Sequence, residues 1–90
     1  MQFAFSPLFK QKLKKIKKLD KKLFAKVDKQ LKIFTDNPKH PSLRTHKLTG
    51  KNENVWSISI TMSIRLVYKI IDDNIYYFVD IGTHDEVYKK

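Results

Sequence analysis

Two consecutive runs in the second half of the chain alternate between apolar and polar positions. In residues 56–61, tryptophan and isoleucine alternate with serine and threonine. In residues 64–71 the cationic residues Arg65 and Lys69 are four positions apart, so in an extended chain both side chains point to the same face. A period of two is typical of a half-buried strand, and we predict two strands here. The polar residues expected on their shared face are Ser57, Ser59, Arg65 and Lys69.

Two amphipathic helices are predicted before these strands. A short strand over residues 2–6 comes first, and Ser6 and Pro7 then indicate a helix start, since serine caps free amides and proline is tolerated at the first helical position. Apolar residues recur three or four positions apart in the next two segments, with a second start at Asp20 and a stop at residues 36–38. We expect the two helices to form a hairpin whose apolar stripes cover the sheet.

A third strand is predicted over residues 75–81, after the turn residues 72–74. The connection 38–54 reads as a long loop, and Thr83 and Glu86 have the spacing of a capping box that would start a single helical turn. The predicted fold is α+β: an N-terminal strand, a helical hairpin, and then a three-stranded antiparallel sheet. We expect a sheet of three or four strands with both helices on one face and the other face open, in one domain over residues 1–90.

Positive charge is concentrated in the predicted helical hairpin. The chain has 90 residues and a formal net charge of +10, and eleven lysines lie in residues 10–32 against only Asp20 and Asp28. Such a charge suits nucleic acid, an acidic protein or an anionic membrane surface, although a solvated outer face explains many lysine runs. Helical spacing predicts a basic ridge, which we define as Lys10, Lys14, Lys17 and Lys21.

The composition excludes several classes of protein. The chain has no cysteine, so a disulfide framework and a thiolate metal site are excluded. The N-terminus does not have the charged lead and apolar run of a signal peptide, and no stretch is apolar enough to span a bilayer. We therefore expect a soluble protein of the cytoplasm.

Arg65 is the first candidate for chemistry. An arginine within an apolar strand is out of place in a core but suits the binding of an anion, because its planar guanidinium matches phosphate and stays charged. His84 follows the last predicted strand, at a junction where a side chain is both exposed and fixed. The alternative interpretation of His84 is an ordinary surface histidine beside a helix cap.

The order of elements and four short segments resemble the RelE/ParE toxin superfamily. The segments are His-Lys-Leu-Thr-Gly at 46–50, Val-Trp-Ser at 55–57, Ile-Arg-Leu-Val-Tyr at 64–68 and Ile-Gly-Thr-His-Asp-Glu-Val-Tyr at 81–88. They are most similar to the mRNA interferases RelE, YoeB and YafQ, and the resemblance covers essentially the whole chain. It implies the RelE/ParE-like microbial RNase fold and a toxin of a type II toxin–antitoxin system. Such a toxin is a ribosome-dependent endoribonuclease, and a cognate acidic antitoxin holds it inactive.

The resemblance also implies roles for individual residues. Arg65 matches the arginine that stabilises charge on the cleaved phosphate, and His84 the residue that acts as general acid or holds the phosphate. Tyr88 matches a tyrosine that orients the nucleotide or assists proton transfer, and His46 is our candidate general base. The reaction, attack of a 2′-hydroxyl on the adjacent phosphate, requires no metal and no cofactor. The lysines expected to bind mRNA and the ribosome are Lys10, Lys14, Lys17, Lys21, Lys47 and Lys69.

The chain departs from the family pattern on the first long strand. Ser57 and Ser59 stand where some relatives carry lysine or arginine, and the histidine and aspartate of YafQ-like members are replaced near Ser59 and Ser63. Two other interpretations therefore stay open. One is a ParE-like protein that inhibits DNA gyrase without catalysis, and the other is a catalytically weak or non-catalytic module that binds RNA or the ribosome.

Overall fold

The computed structural model describes residues 2–47 and 55–88, except for the side chain of Tyr88. Its strands form one five-stranded sheet in the order β1-β5-β4-β3-β2, in which β1 runs parallel to β5 and the other neighbours are antiparallel. The elements in chain order are β1 (Gln2–Phe5), α1 (Pro7–Leu19), α2 (Lys21–Asp36), a 3₁₀ turn (Pro41–Leu43), β2 (His46–Lys47), β3 (Val55–Ser59), β4 (Ile64–Ile71), β5 (Ile75–Thr83) and α3 (His84–Tyr88).

The α+β prediction and both helix starts are confirmed. The hydroxyl of Ser6 accepts a hydrogen bond from the amide of Phe9 at 2.9 Å, and the carboxylate of Asp20 accepts one from Leu23 at 3.1 Å. Each bond satisfies an amide that has no partner inside its own helix. Because Asp20 both ends α1 and caps α2, the two helices follow each other without a linker.

The described residues form five strands of one sheet, so the expectation of three or four was wrong. The first strand joins the sheet by parallel pairing with β5, from Gln2 opposite Ile75 to Phe5 opposite Phe78. The predicted loop 38–54 contains the 3₁₀ turn and β2, and the turn expected at Gly50 lies outside the described residues. A strand of two residues is too short to show a period of two, which explains why the pattern did not predict it.

The main core lies between the helices and one face of the sheet, as predicted. Phe34 of α2 packs edge-on against Tyr68 and Phe78, with ring centroids 5.1 and 5.8 Å apart. Burial raises the pKa of Tyr68 to about 12. The buried residues of this core are Phe9, Val27, Phe34, Leu43, Ile58, Ile60, Leu66, Tyr68, Phe78 and Ile81.

The opposite face of the sheet is not open, which corrects a second expectation. Helix α3 packs on it, and Val87 forms a small apolar cluster with Val55 and Val67. Ser57, expected on an open surface, is fully buried, while Lys69 is exposed and Arg65 is partly exposed. The capping box predicts only a single helical turn at the start of α3. It does not indicate that this helix covers the second face of the sheet. We call this side of the sheet the α3 face.

The basic ridge is divided between two helices. Lys10, Lys14 and Lys17 lie on α1, whereas Lys21 is the first residue of α2 beyond the cap at Asp20. The spacing of one helix therefore relates Lys10, Lys14 and Lys17 only, because Asp20 is non-helical and separates Lys21 from them. All four lysines are exposed.

Candidate functional site

Strand register places two of the predicted site residues, His46 and Arg65, on the α3 face. His46 is opposite Ser57 across β2 and β3, and Arg65 is opposite Ser59 across β3 and β4. Directly paired residues of an antiparallel sheet point to the same side, so His46 and Arg65 share a face. His84 begins α3, which packs on that same face. The sheet therefore places the side chains of His46 and Arg65 on the side away from α1 and α2, and α3 brings the backbone of His84 to the same side.

Arg65 is held in place by hydrogen bonds on two sides of its guanidinium. Its Nε donates to the hydroxyl of Ser57 at 3.0 Å, and its Nη2 donates to the backbone carbonyl of Arg44 at 2.9 Å and to that of Ser57 at 3.4 Å. The third nitrogen, Nη1, makes no hydrogen bond within residues 2–47 and 55–88. A fixed cation with one donor group left over is suited to an anionic ligand.

Arg44 contributes its backbone to this arrangement, which the sequence did not indicate. It ends the 3₁₀ turn in the left-handed conformation, with φ 46° and ψ 51°. This conformation is uncommon for a residue with a Cβ atom, and here it coincides with the carbonyl that accepts from Arg65. No local pattern marks an arginine for a left-handed turn, since glycine and asparagine are the residues that usually occupy it.

His84 lies at the junction between β5 and α3, as predicted, and the capping box is confirmed. The amide of Thr83 donates to Oε1 of Glu86 at 2.7 Å, and the amide of Glu86 donates to the hydroxyl of Thr83 at 3.3 Å. These bonds hold the pKa of Glu86 below its ordinary value of 4.5. The side chain of His84 is 70% exposed, and its Nδ1 lies 3.9 Å from Oδ1 of Asp85. An exposed side chain on a capped helix is accessible to a substrate.

Gly82 allows α3 to turn back over the sheet beside Arg65. It is the residue directly opposite Arg65 in β5. A Cβ atom at this position would lie 2.8 Å from Oε1 of Glu86 and 3.2 Å from its Cβ atom. Such contacts are too short for an ordinary side chain, so glycine is required for the close approach of α3.

The remaining predicted residues are distributed over both sides of the sheet. His46 is exposed on β2, two strands from β4 and therefore about 10 Å from it. Lys47 is opposite Trp56 on the helix side, with its Nζ 5.6 Å from the ring centroid, whereas Lys69 is exposed on the α3 face. The side chain of Tyr88 lies outside the described part of the structure.

The described residues offer neither a metal site nor a membrane-spanning helix. Residues 2–47 and 55–88 contain no group of three or more histidine, cysteine, aspartate and glutamate side chains that could hold a metal ion. In the same ranges no helix is long and apolar enough to cross a membrane.

Comparison with known proteins gives matches over almost the whole chain. A family model described as a bacterial toxin of a type II toxin–antitoxin system, YafQ, matches residues 1–89. A relative from Methanocaldococcus jannaschii that is named putative toxin RelE4 is 30% identical over an alignment of 90 positions, which covers 99% of this chain and 92% of that protein.

Solved structures share the fold. A YoeB/ParE toxin from Agrobacterium tumefaciens superposes with a TM-score of 0.80 at 16% identity, covering 93% of this chain and 99% of that one. The YoeB dimer from Staphylococcus aureus has a TM-score of 0.74 at 27% identity, with 93% and 97% covered. YafQ in the DinJ–YafQ complex of E. coli has a TM-score of 0.78 at 19% identity, with 97% of each chain covered.

Proposed function

Because the chain belongs to the YafQ family of bacterial toxins from type II toxin–antitoxin systems, we propose that it is an endoribonuclease that cleaves mRNA on the ribosome. The observation that carries the proposal is the fixed guanidinium of Arg65, partly exposed on the same side of the sheet as His46 and His84. We assign the activity to the whole chain acting as one domain in the cytoplasm, where translating ribosomes are found.

The proposed chemistry is an internal transfer at one phosphodiester. The 2′-oxygen of a ribose forms a bond to the adjacent phosphorus as the bond to the 5′-oxygen of the next nucleotide breaks. A base takes the proton of the 2′-hydroxyl, and an acid gives a proton to the leaving 5′-oxygen. The products are a 2′,3′-cyclic phosphate and a free 5′-hydroxyl, and every proton is supplied by side chains or water.

We propose one role for each site residue. Arg65 faces the charge that develops on the phosphate oxygens, and a donor that is already oriented needs no reorganisation during the reaction. His84, exposed at the start of α3, is the proposed acid, and His46 is the proposed base. Tyr88 is the proposed partner of the nucleotide or of the proton transfer. The lysines of the basic ridge, with Lys47 and Lys69, are the proposed contacts to RNA phosphates.

We also propose that an acidic antitoxin inhibits the protein. The structures of YoeB with YefM from Staphylococcus aureus and of YafQ with DinJ from E. coli are complexes of a toxin with its antitoxin. A net charge of +10 on this chain favours an acidic partner, with charge increasing the association rate and apolar contacts supplying much of the affinity.

Cleavage on ribosomes programmed with a defined mRNA tests the activity. We expect a single cut in the ribosomal A site, and we expect no cut when the nucleotide before the scissile bond carries a 2′-deoxyribose. Cleavage of the deoxy substrate would rule out attack by the 2′-hydroxyl. Absence of cleavage of the normal mRNA, together with inhibition of DNA gyrase, would replace the proposal with the ParE-like interpretation.

A further inference from the structure

Ser57 occupies an unusual position for a small polar residue, since it is fully buried in the middle of β3 on the α3 face. Its hydroxyl accepts the hydrogen bond from Nε of Arg65, and its carbonyl lies 3.4 Å from Nη2 of the same guanidinium. One residue thus contacts two of the three nitrogens of Arg65. A hydroxyl that is shielded from water and set on a central strand is a fixed acceptor.

We infer that Ser57 is a positioning residue that sets the orientation of the Arg65 guanidinium, an inference that rests on the proposed cleavage of mRNA. The bond at Nε fixes the plane of the group, because Nε is the nitrogen closest to the flexible stem. The bond from Nη2 to the carbonyl of Arg44 then fixes the rotation within that plane. Together they leave Nη1 and the outer edge of the guanidinium for a phosphate.

This role reverses the interpretation of the sequence at position 57. Serine stands where some relatives carry a cation, and that departure suggested a site short of positive charge. In the structure the hydroxyl of Ser57 accepts a hydrogen bond from Arg65, the one arginine in β3 and β4. A lysine or arginine could not be accommodated at a fully buried position without moving its neighbours, whereas a hydroxyl fits and accepts from Arg65.

Ser59 provides a matched control on the same strand and face. It is directly opposite Arg65 in the register, and is thus nearer along the strand than Ser57. Its hydroxyl, however, donates to the backbone carbonyl of Thr61 at 2.9 Å. Removing either hydroxyl deletes the same atom from the same surface of β3, but only one of the two changes touches the guanidinium.

The test compares Ser57→Ala with Ser59→Ala in single-turnover cleavage on programmed ribosomes. We expect Ser57→Ala to lower the maximal rate by roughly ten- to a hundredfold with little change in the toxin concentration giving half-maximal rate, since orientation matters most in the transition state. Ser59→Ala should stay within about twofold. Ser57→Thr, which keeps the acceptor, should recover part of the rate.

A spectroscopic measurement separates orientation from general damage to the fold. The Nε–Hε group of Arg65 gives its own NMR signal, and its hydrogen should exchange with water faster in Ser57→Ala than in the wild type or in Ser59→Ala. If Ser57→Ala does not fold, Ser57→Cys has nearly the same volume with a weak sulfur acceptor and replaces it.

The outcomes are distinguishable. Full activity or unchanged Nε–Hε exchange in folded Ser57→Ala, or in Ser57→Cys where it replaces the alanine variant, would overturn the inference and leave the proposed function standing. An equal loss in Ser59→Ala would also overturn it, because the effect would then belong to the strand. A wild-type protein that does not cleave mRNA would instead remove the proposed function.

Discussion

Lys12 and Asp80 form an ion pair that joins α1 to β5, with Nζ of the lysine 2.7 Å from Oδ1 of the aspartate. The aspartate side chain is 3% exposed and the lysine side chain 33%. Oδ1 also accepts from the amide of Ile81 at 2.8 Å. The pair sits where β5 contains one extra residue, since Val67 is opposite Asp80 while Tyr68 is opposite Phe78. It therefore anchors the last part of β5, from which α3 and His84 follow.

We predict that Lys12→Met destabilises the protein by about 3 kcal/mol, because it takes the cation away from a buried carboxylate. This loss is at the low end of the range expected when one partner of a buried ion pair is removed, because Lys12 is itself partly exposed to solvent. Asp80→Asn should cost less, since the lysine left behind can reach water. Urea unfolding measures both changes. Lys14→Met, at an exposed position of the same helix, is the control and should change the free energy of unfolding by no more than about 0.5 kcal/mol. Equal losses of stability at Lys12 and Lys14 would contradict the prediction.

Gly82→Ala is predicted to move α3. The new Cβ atom would meet both the carboxylate and the Cβ atom of Glu86, and the second contact cannot be relieved by rotating a side chain. We expect a loss of roughly 1–3 kcal/mol, typical of an overpacked contact, together with reduced cleavage as His84 is displaced.

Glu86→Ala serves as the comparison, because it removes the cap but creates no crowding. The double variant Gly82→Ala/Glu86→Ala should lose less stability than the sum of the single changes, since the contact with the carboxylate is gone. Thermal melts of the three variants measure this, and strictly additive losses would show that the two residues do not compete for space.

The capping box of α3 should weaken in acid. The pKa of Glu86 is lowered in the folded protein, so its contribution to stability is present above its ordinary value of 4.5 and is lost as pH falls through the folded pKa below that value. The NMR shift of the Thr83 amide, which donates to this carboxylate, should titrate below pH 4.5. Glu86→Gln should abolish that titration; if it persists in the glutamine variant, another group is responsible.

The local features of the fold were predictable from the sequence. Ser6 and Asp20 marked the helix starts because a cap is a property of a few consecutive residues. The alternation around Arg65 placed it on the face opposite Leu66 because side-chain direction in a strand follows from position alone.

The features that the sequence did not predict depend on residues that are far apart in the chain. The hydroxyl of Ser6 donates to the carbonyl of Val79, 73 positions away, next to the parallel pairing of β1 with β5. The extra residue in β5 and the left-handed Arg44 are likewise set by tertiary contacts. The hydrogen bond between Ser57 and Arg65 could not be inferred because it requires the strand register and the χ angles of Arg65, neither of which a hydrophobic pattern contains.

The lysines on α1 are predicted to speed the association of the protein with the ribosome through their positive charge. Changing Lys10, Lys14 and Lys17 together to glutamine should slow ribosome binding and reduce its dependence on salt, since exposed charges act over about a Debye length. The control changes three exposed lysines of α2, Lys22, Lys26 and Lys29, and has the same net charge. Association rates at several salt concentrations distinguish the two. The same effect in both variants would show that total charge matters and not the surface of α1.

Arg65→Ala and His84→Ala are predicted to abolish or severely reduce mRNA cleavage while leaving the fold and antitoxin binding intact. Loss of one oriented charge contact costs on the order of a hundred- to a thousandfold in rate, and Arg65→Lys should recover little because a lysine cannot make the bond from Nε to Ser57. Loss of proton transfer at His84 costs roughly a hundred- to ten-thousandfold, and His84→Gln should be nearly as damaging because glutamine cannot deliver a proton. Lys14→Ala should weaken ribosome binding without changing the chemical step. Single-turnover cleavage at saturating toxin, beside thermal melts, measures all five variants, and full activity in folded His84→Ala would remove the histidine from the mechanism.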